Sequence, residues 1–163
     1  MNILKCRNCQ SKLFSSLFSL GNLSFTGKFP SYQKDIIPKA EIKIVICKQC
    51  KLVQLDRNFN KKFLYGQDYG YRTGINQTMT NHVKSVVKKM TNLAKLKDKD
   101  FVLDIASNDG TLLNFYSKKN VKAGIDPILN KHKKLYKNID YMFPDFFNYN
   151  VINKKLPNIK FKI

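Results

Sequence analysis

A chain of 163 residues has room for one domain, or for a small module joined to part of a larger one. Its hydrophobic content of 43% and aromatic content of 12% exclude a disordered polymer, and no apolar run reaches the roughly 20 residues of a membrane span. The net charge of +19 comes almost wholly from lysines spread along the chain, with arginine only at Arg7, Arg57 and Arg72. That pattern reads as solvated faces and disfavours a dedicated nucleic-acid reader, which uses arginine forks.

The N-terminus runs almost directly into a cysteine motif, with no signal-peptide apolar core, so the cytoplasm is the expected compartment. The four cysteines form two pairs, Cys6-Arg-Asn-Cys9 and Cys47-Lys-Gln-Cys50, with 37 residues between them. Two residues between cysteines let a tight turn aim both sulfurs at one metal, and two such turns complete a tetrahedron of thiolates around zinc. Every ligand position is then filled by protein, so the zinc is expected to be structural. Disulfides need an oxidising compartment and a redox motif needs only one pair, so both fit less well. Ile42, Ile44 and Ile46 alternate into Cys47, and Leu52-Val-Gln-Leu55 leaves Cys50. Both read as strands, with the second pair at a hairpin tip. Leu20 to Pro30, punctuated by Gly21, Gly27 and Pro30, reads as loop.

The zinc module is expected to span residues 1–58, followed by an aromatic connector and amphipathic helix over 59–98. In that helix Ile75, Met79, Val83, Val86, Val87 and Met90 recur at spacings of three and four, a core-facing stripe. Tyr69, Tyr71 and His82 are weak candidates for a catalytic base, with structural roles the simpler reading.

Residues 99–163 read as the first half of a doubly wound α/β domain, making the fold class α/β with an incomplete, Rossmann-like sheet. Phe101–Ala106 is a buried strand, Ser107-Asn-Asp-Gly-Thr111 a turn, and Leu112–Tyr116 the start of a helix. Val121–Asp126 is a second strand ending in an acid, 22 residues after Asp104, placed to accept hydrogen bonds from ribose hydroxyls. Ile128–Lys137 is expected to be helical, Asp140–Phe143 a third strand, and Asn158–Ile163 the opening of a fourth. Asp145, beyond the third strand, could meet an exocyclic amine, with Phe146 or Phe147 against a base. A dinucleotide fingerprint wants three spaced glycines, whereas this turn is acidic and has only Gly110. An acidic turn suits a ligand with a cationic amino-acid end, such as S-adenosylmethionine.

These motifs, in this order, resemble the zinc-binding sugar C-methyltransferase family: Cys-x-x-Cys, Cys47-Lys-Gln-Cys-Lys-Leu-Val-Gln-Leu55, Tyr69-Gly-Tyr71, Ser107-Asn-Asp-Gly-Thr-Leu-Leu113 and Gly124-Ile-Asp-Pro127. The resemblance implies S-adenosylmethionine and structural zinc as cofactors and a nucleotide-linked deoxy-keto-sugar as substrate. It implies that Asp104, Ala106, Ser107, Asn108, Asp109 and Gly110 surround the cofactor, with Asp126 at the ribose and Asp145 and Phe146 near adenine. Tyr69 and Tyr71 would lie over the active site. Ala106 stands where many methyltransferases carry glycine. Family members are much longer, so the chain is expected to be an N-terminal fragment, unstable alone, with a second polypeptide as one source of the missing half. The competing expectations are a zinc-bearing nucleic-acid module and an inactive methyltransferase remnant.

Overall fold

Alternating isoleucines make Lys39–Cys47 a strand, and its last residue is the first ligand of the second cysteine pair. In the computed structural model, which describes residues 2–25, 30–67 and 69–163, this is strand β2 of an antiparallel sheet. Strand β1 covers Phe14–Ser24 and strand β3 covers Val53–Leu55, in the order β1-β2-β3. β2 and β3 form the hairpin that the sequence implies, with Ile44 opposite Leu55 and Ile46 opposite Val53. The expected loop from Leu20 is strand as far as Ser24. Gly21 adopts φ +72° within a register shift between Ser19 and Asn22, so the turn signal becomes a bulge and the ladder continues. Of the remainder of that loop, residues 26–29 lie outside the described residues.

The short helix α1, Lys61–Tyr65, follows, capped by the Asn60 side chain accepting from the Lys62 N–H. Phe25 packs edge-on to Phe59 and stacks with Phe63, at centroid distances of 5.7 and 5.8 Å. Two compact units result, Met1–Tyr69 and Gly70–Ile163.

The second unit opens its main helix, α2, at Gln77–Ala94. Asn76 caps it through the Met79 N–H, and Lys95 ends it in the left-handed conformation. Only Val83 and Val87 of the expected stripe are buried; Ile75, Met79 and Met90 are exposed. Strands β4 (Phe101–Ile105), β5 (Val121–Ile125) and β6 (Tyr141–Phe143) form a parallel sheet in the order β4-β5-β6. One face carries Val102, packed with Val87, Leu113, Tyr116, Leu129 and Tyr136. The other carries Ala123, Ile125 and Phe143 beneath Ile152 of helix α4, Tyr149–Lys155, and Leu156 just after it.

The helix expected over Leu112–Tyr116 is a single 3₁₀ turn, Leu113–Phe115. The turn Ser117–Asn120 and the start of β5 follow immediately, leaving no length for further helix. The helix expected over Ile128–Lys137 is likewise short: α3 covers Leu129–His132, and a 3₁₀ turn covers Lys133–Leu135. Residues 162 and 163 lie along the free edge of β4. The Lys162 N–H donates to the Phe101 carbonyl at 2.8 Å, and the Leu103 N–H to the Ile163 carbonyl at 2.9 Å. No helix among the described residues is long and apolar enough to cross a membrane.

Gly124 sits where the sheet meets the loop after β4. A methyl group there would lie 2.9 Å from Leu113 Cδ1 and Ser107 Oγ, and 3.1 Å from Tyr136 Cε1. Gly124→Ala is expected to destabilise the second unit by about 1–3 kcal/mol through overpacking, read as a lowered urea midpoint.

Candidate functional site

The two cysteine turns share one backbone design. Cys6 donates its N–H to the Ser11 carbonyl and accepts from Gln10; Cys47 donates to Leu52 and accepts from Lys51. Gln10 and Lys51 both take φ near +60°, at 63° and 62°. The resulting pair of knuckles aims four sulfurs at one point, all within 4.8 Å of one another. Cys6 Sγ lies 3.6 Å from Cys50 Sγ, and Cys9 Sγ 3.6 Å from Cys47 Sγ. A zinc tetrahedron with bonds of about 2.3 Å has edges of about 3.8 Å, so the donor set fits the ion in number, type and spacing. All four thiols are free, and Cys6 and Cys47 are fully buried.

Burial opposes ionisation of Cys6, but N–H groups of Cys9, Asn8 and Gln54 outweigh it and bring its thiol down to about 6. At Cys9 the N–H of Ser11 favours the thiolate, yet burial and the neighbouring sulfurs prevail and push it up to about 11. Four sulfurs this close cannot all ionise without a cation among them. The cluster therefore fits a metal, and a zinc ion held by these four sulfurs would be structural, because no ligand position is left for water.

In the second unit, the parallel sheet brings Ala106, Asp126 and Asp145 just past the ends of β4, β5 and β6, at one edge. The loop after β4 alternates through left-handed residues, with φ of +61° at Ala106, +51° at Asn108 and +76° at Gly110. The Asp126 carboxylate closes on it. One oxygen accepts from the Asn108 N–H and the other from the Ile128 N–H, each at 2.9 Å. Ser107, Asn108, Asp109 and Asp126 are all buried. The Asp109 carboxylate is also held, by the Gly74 N–H at 2.9 Å, the Thr111 hydroxyl at 2.6 Å and Arg72 Nε at 3.3 Å. Burial works against its charge, but Thr111, Gly74 and Arg72 keep it below the usual carboxylate range. Asp104, on β4, is half-buried, and burial together with the Asp126 carboxylate pushes it up to about 7.

Asp145 is exposed and accepts from the Phe146 N–H at 2.7 Å; Phe146 is half-buried. Tyr71 gives its carbonyl to the Asn108 side-chain amide at 3.0 Å, leaving its ring exposed. His82 is exposed on α2. Tyr69 belongs to the first unit, where its ring meets Tyr65 edge-on at 5.6 Å.

Sequence reading missed the groups that hold this loop. The Tyr136 hydroxyl is 2.8 Å from Ser107 Oγ and donates to the Asn108 carbonyl at 2.9 Å. The Thr73 N–H donates to the Asn108 side chain at 2.9 Å. Gly74 has no room for a side chain, since a Cβ would lie 2.5 Å from Thr111 Oγ1. The only local sign was the glycine itself; Tyr136 carried no motif.

The metal centre predicts one zinc per chain by atomic absorption. Cys47→Ser should reduce that content to near zero and remove amide-exchange protection from the β2–β3 hairpin. Asp104 predicts a pH effect of definite sign. Its folded pKa, about 7, lies above the ordinary 3.8, so the folded state keeps a proton that the unfolded chain releases. Its contribution is intact below about pH 4 and is lost as pH rises towards 7. Asp104→Asn should flatten that fall, measured as the difference in urea stability between variant and parent across the window.

Residues 6–65 match the Methyltransf_13 family model, whose description reads "Putative zinc binding domain". No curated protein matches the chain. Residues 6–65 are thus similar to a zinc-binding domain of a methyltransferase-associated family, and the four clustered cysteines supply the metal ligands that such a domain needs.

Proposed function

We propose that the chain is part of an S-adenosylmethionine-dependent methyltransferase that methylates carbon on a nucleotide-linked deoxy-keto-sugar. The observation that carries this reading is the 2.9 Å contact between the loop after β4 and Asp126 at the tip of β5. An acid at the end of the second strand, beside a glycine-bearing turn at the end of the first, is where a doubly wound sheet grips a nucleoside. The order β6-β5-β4, with residues 162–163 against the outer edge of β4, is also consistent with a doubly wound, Rossmann-like sheet. The methyltransferase-associated match over residues 6–65 supports the same reading from the other unit.

On this reading Asp126 takes the ribose hydroxyls through the unused lone pairs of its carboxylate, and Asp145 with Phe146 flanks the adenine. Asp104, Ala106, Ser107, Asn108, Asp109 and Gly110 surround the amino-acid end. Asp109 would act from beneath, by fixing the Arg72–Gly74 strap and the loop together. Bound S-adenosylmethionine supplies an electrophilic methyl group, and the chain's own task is to orient that group and exclude water. A base must remove a proton beside the sugar's keto group; Tyr69, Tyr71 and His82 remain its candidates. The reading includes further polypeptide at the sugar site.

Calorimetric titration of the zinc-loaded protein with S-adenosylmethionine tests it. Saturable binding, displaced by S-adenosylhomocysteine, is expected. Asp126→Asn keeps the side chain's size but loses the anionic acceptor and one of the two backbone N–H bonds that the carboxylate accepts, and should weaken binding about tenfold or more. No binding to the folded, zinc-loaded chain would end the proposal.

A further inference from the structure

Among the described residues, Gln54 is the only buried polar side chain of the Met1–Tyr69 unit apart from the cysteines. It stands at the centre of β3, between an exposed Val53 and a half-buried Leu55, and its side chain reaches the sulfur cluster. Its side-chain nitrogen lies 3.2 Å from Cys6 Sγ. Its side-chain oxygen accepts from the Arg7 backbone N–H at 3.3 Å and from Arg7 Nη1 at 3.1 Å. These contacts settle which way the amide points. Arginine can only donate, so the oxygen must face Arg7 and the NH₂ must face sulfur.

Arg7 is itself held. Its guanidinium donates to the carbonyls of Leu55 at 2.8 Å and Arg57 at 3.1 Å, and to Asn58 Oδ1 at 2.7 Å. The first knuckle, which contains Arg7, is thereby fastened to the segment leaving β3. Four thiolates around one divalent cation carry a net double negative charge, and an N–H directed at one sulfur spreads that charge. A guanidinium behind the amide polarises it further in the same direction.

We infer that Gln54 is an outer hydrogen-bond donor to the zinc-bound Cys6 thiolate, oriented by Arg7, and that this relay slows release of the metal. Gln54 is a positioning residue: it does not touch zinc, and it acts through the sulfur that does. The inference rests on the metal module alone and is independent of whether the chain binds S-adenosylmethionine.

Zinc transfer to a coloured chelator, followed in the full chain, gives the first readout. Gln54→Leu removes the donor, and Gln54→Glu places an acceptor where the NH₂ stood. Both should release zinc about tenfold faster. In cobalt-substituted protein, loss of the N–H···S bond raises the energy of the sulfur lone pair, so the thiolate-to-metal charge-transfer band should move to longer wavelength. A merely packing role for Gln54 would not move that band. Release within about twofold of the parent, with an unmoved band, overturns the inference. Should the variants fail to fold, the unmodified protein still decides it. With cadmium-113 in the site, the Gln54 side-chain protons should show coupling to the metal through the hydrogen bond and slowed exchange with solvent. Absence of both overturns it equally.

Discussion

Four sulfurs held within 4.8 Å of one another repel as they ionise, and only a cation among them makes the arrangement stable. The first unit is organised around that constraint. β1 leaves one knuckle, β2 enters the other and β3 leaves it, so every strand of the small sheet is anchored at a ligand. The exposed faces of β1, with Leu17, Phe18 and Leu20 open to solvent, bury little apolar surface. A sheet with so little core of its own depends on its metal for cohesion, as small zinc modules generally do.

The second unit solves a different problem by similar means. A parallel sheet of three strands must be covered on both faces, and α2 with its neighbouring turns covers one while α4 covers the other. At the strand tips, buried carboxylates take the place of a cation as the organising charge. Asp126 binds two backbone N–H groups and Asp109 gathers Gly74, Thr111 and Arg72. Both are acceptors surrounded by donors, so the acidic turn is rigid before any ligand arrives. Asp104 differs. Burial and the nearby Asp126 carboxylate suppress its charge, whereas the donors around Asp109 preserve the charge there.

Much of this was readable from local pattern. The cysteine spacing implied the metal cluster, alternation in Ile42–Ile46 implied β2, and short apolar runs implied β4, β5 and β6. Each of these signals is carried by residues adjacent in sequence. Three features were not readable. Gly21 looked like a chain-breaking turn because its accommodation depends on pairing with β2, which local sequence does not show. Leu112–Tyr116 has helical character, but the onset of β5 limits it to one turn. Ser107, Asn108 and Asp109 carry polar chemistry that local sequence shows, but Tyr136 and residues 71–74, which engage them, lie 29 to 37 residues away.

The likeness of the two knuckles has a bearing on how the metal is loaded. Cys47 and Cys50 lie in one hairpin whose strands are contiguous, so their half of the cage can form by itself. Bringing Cys6 and Cys9 to it closes a span of 37 residues. Against a two-residue turn, that closure costs about 2.5 kcal/mol more in chain entropy. Chain entropy thus favours the pair that emerges second in synthesis as the first half of the cage, with the earlier knuckle closing over it.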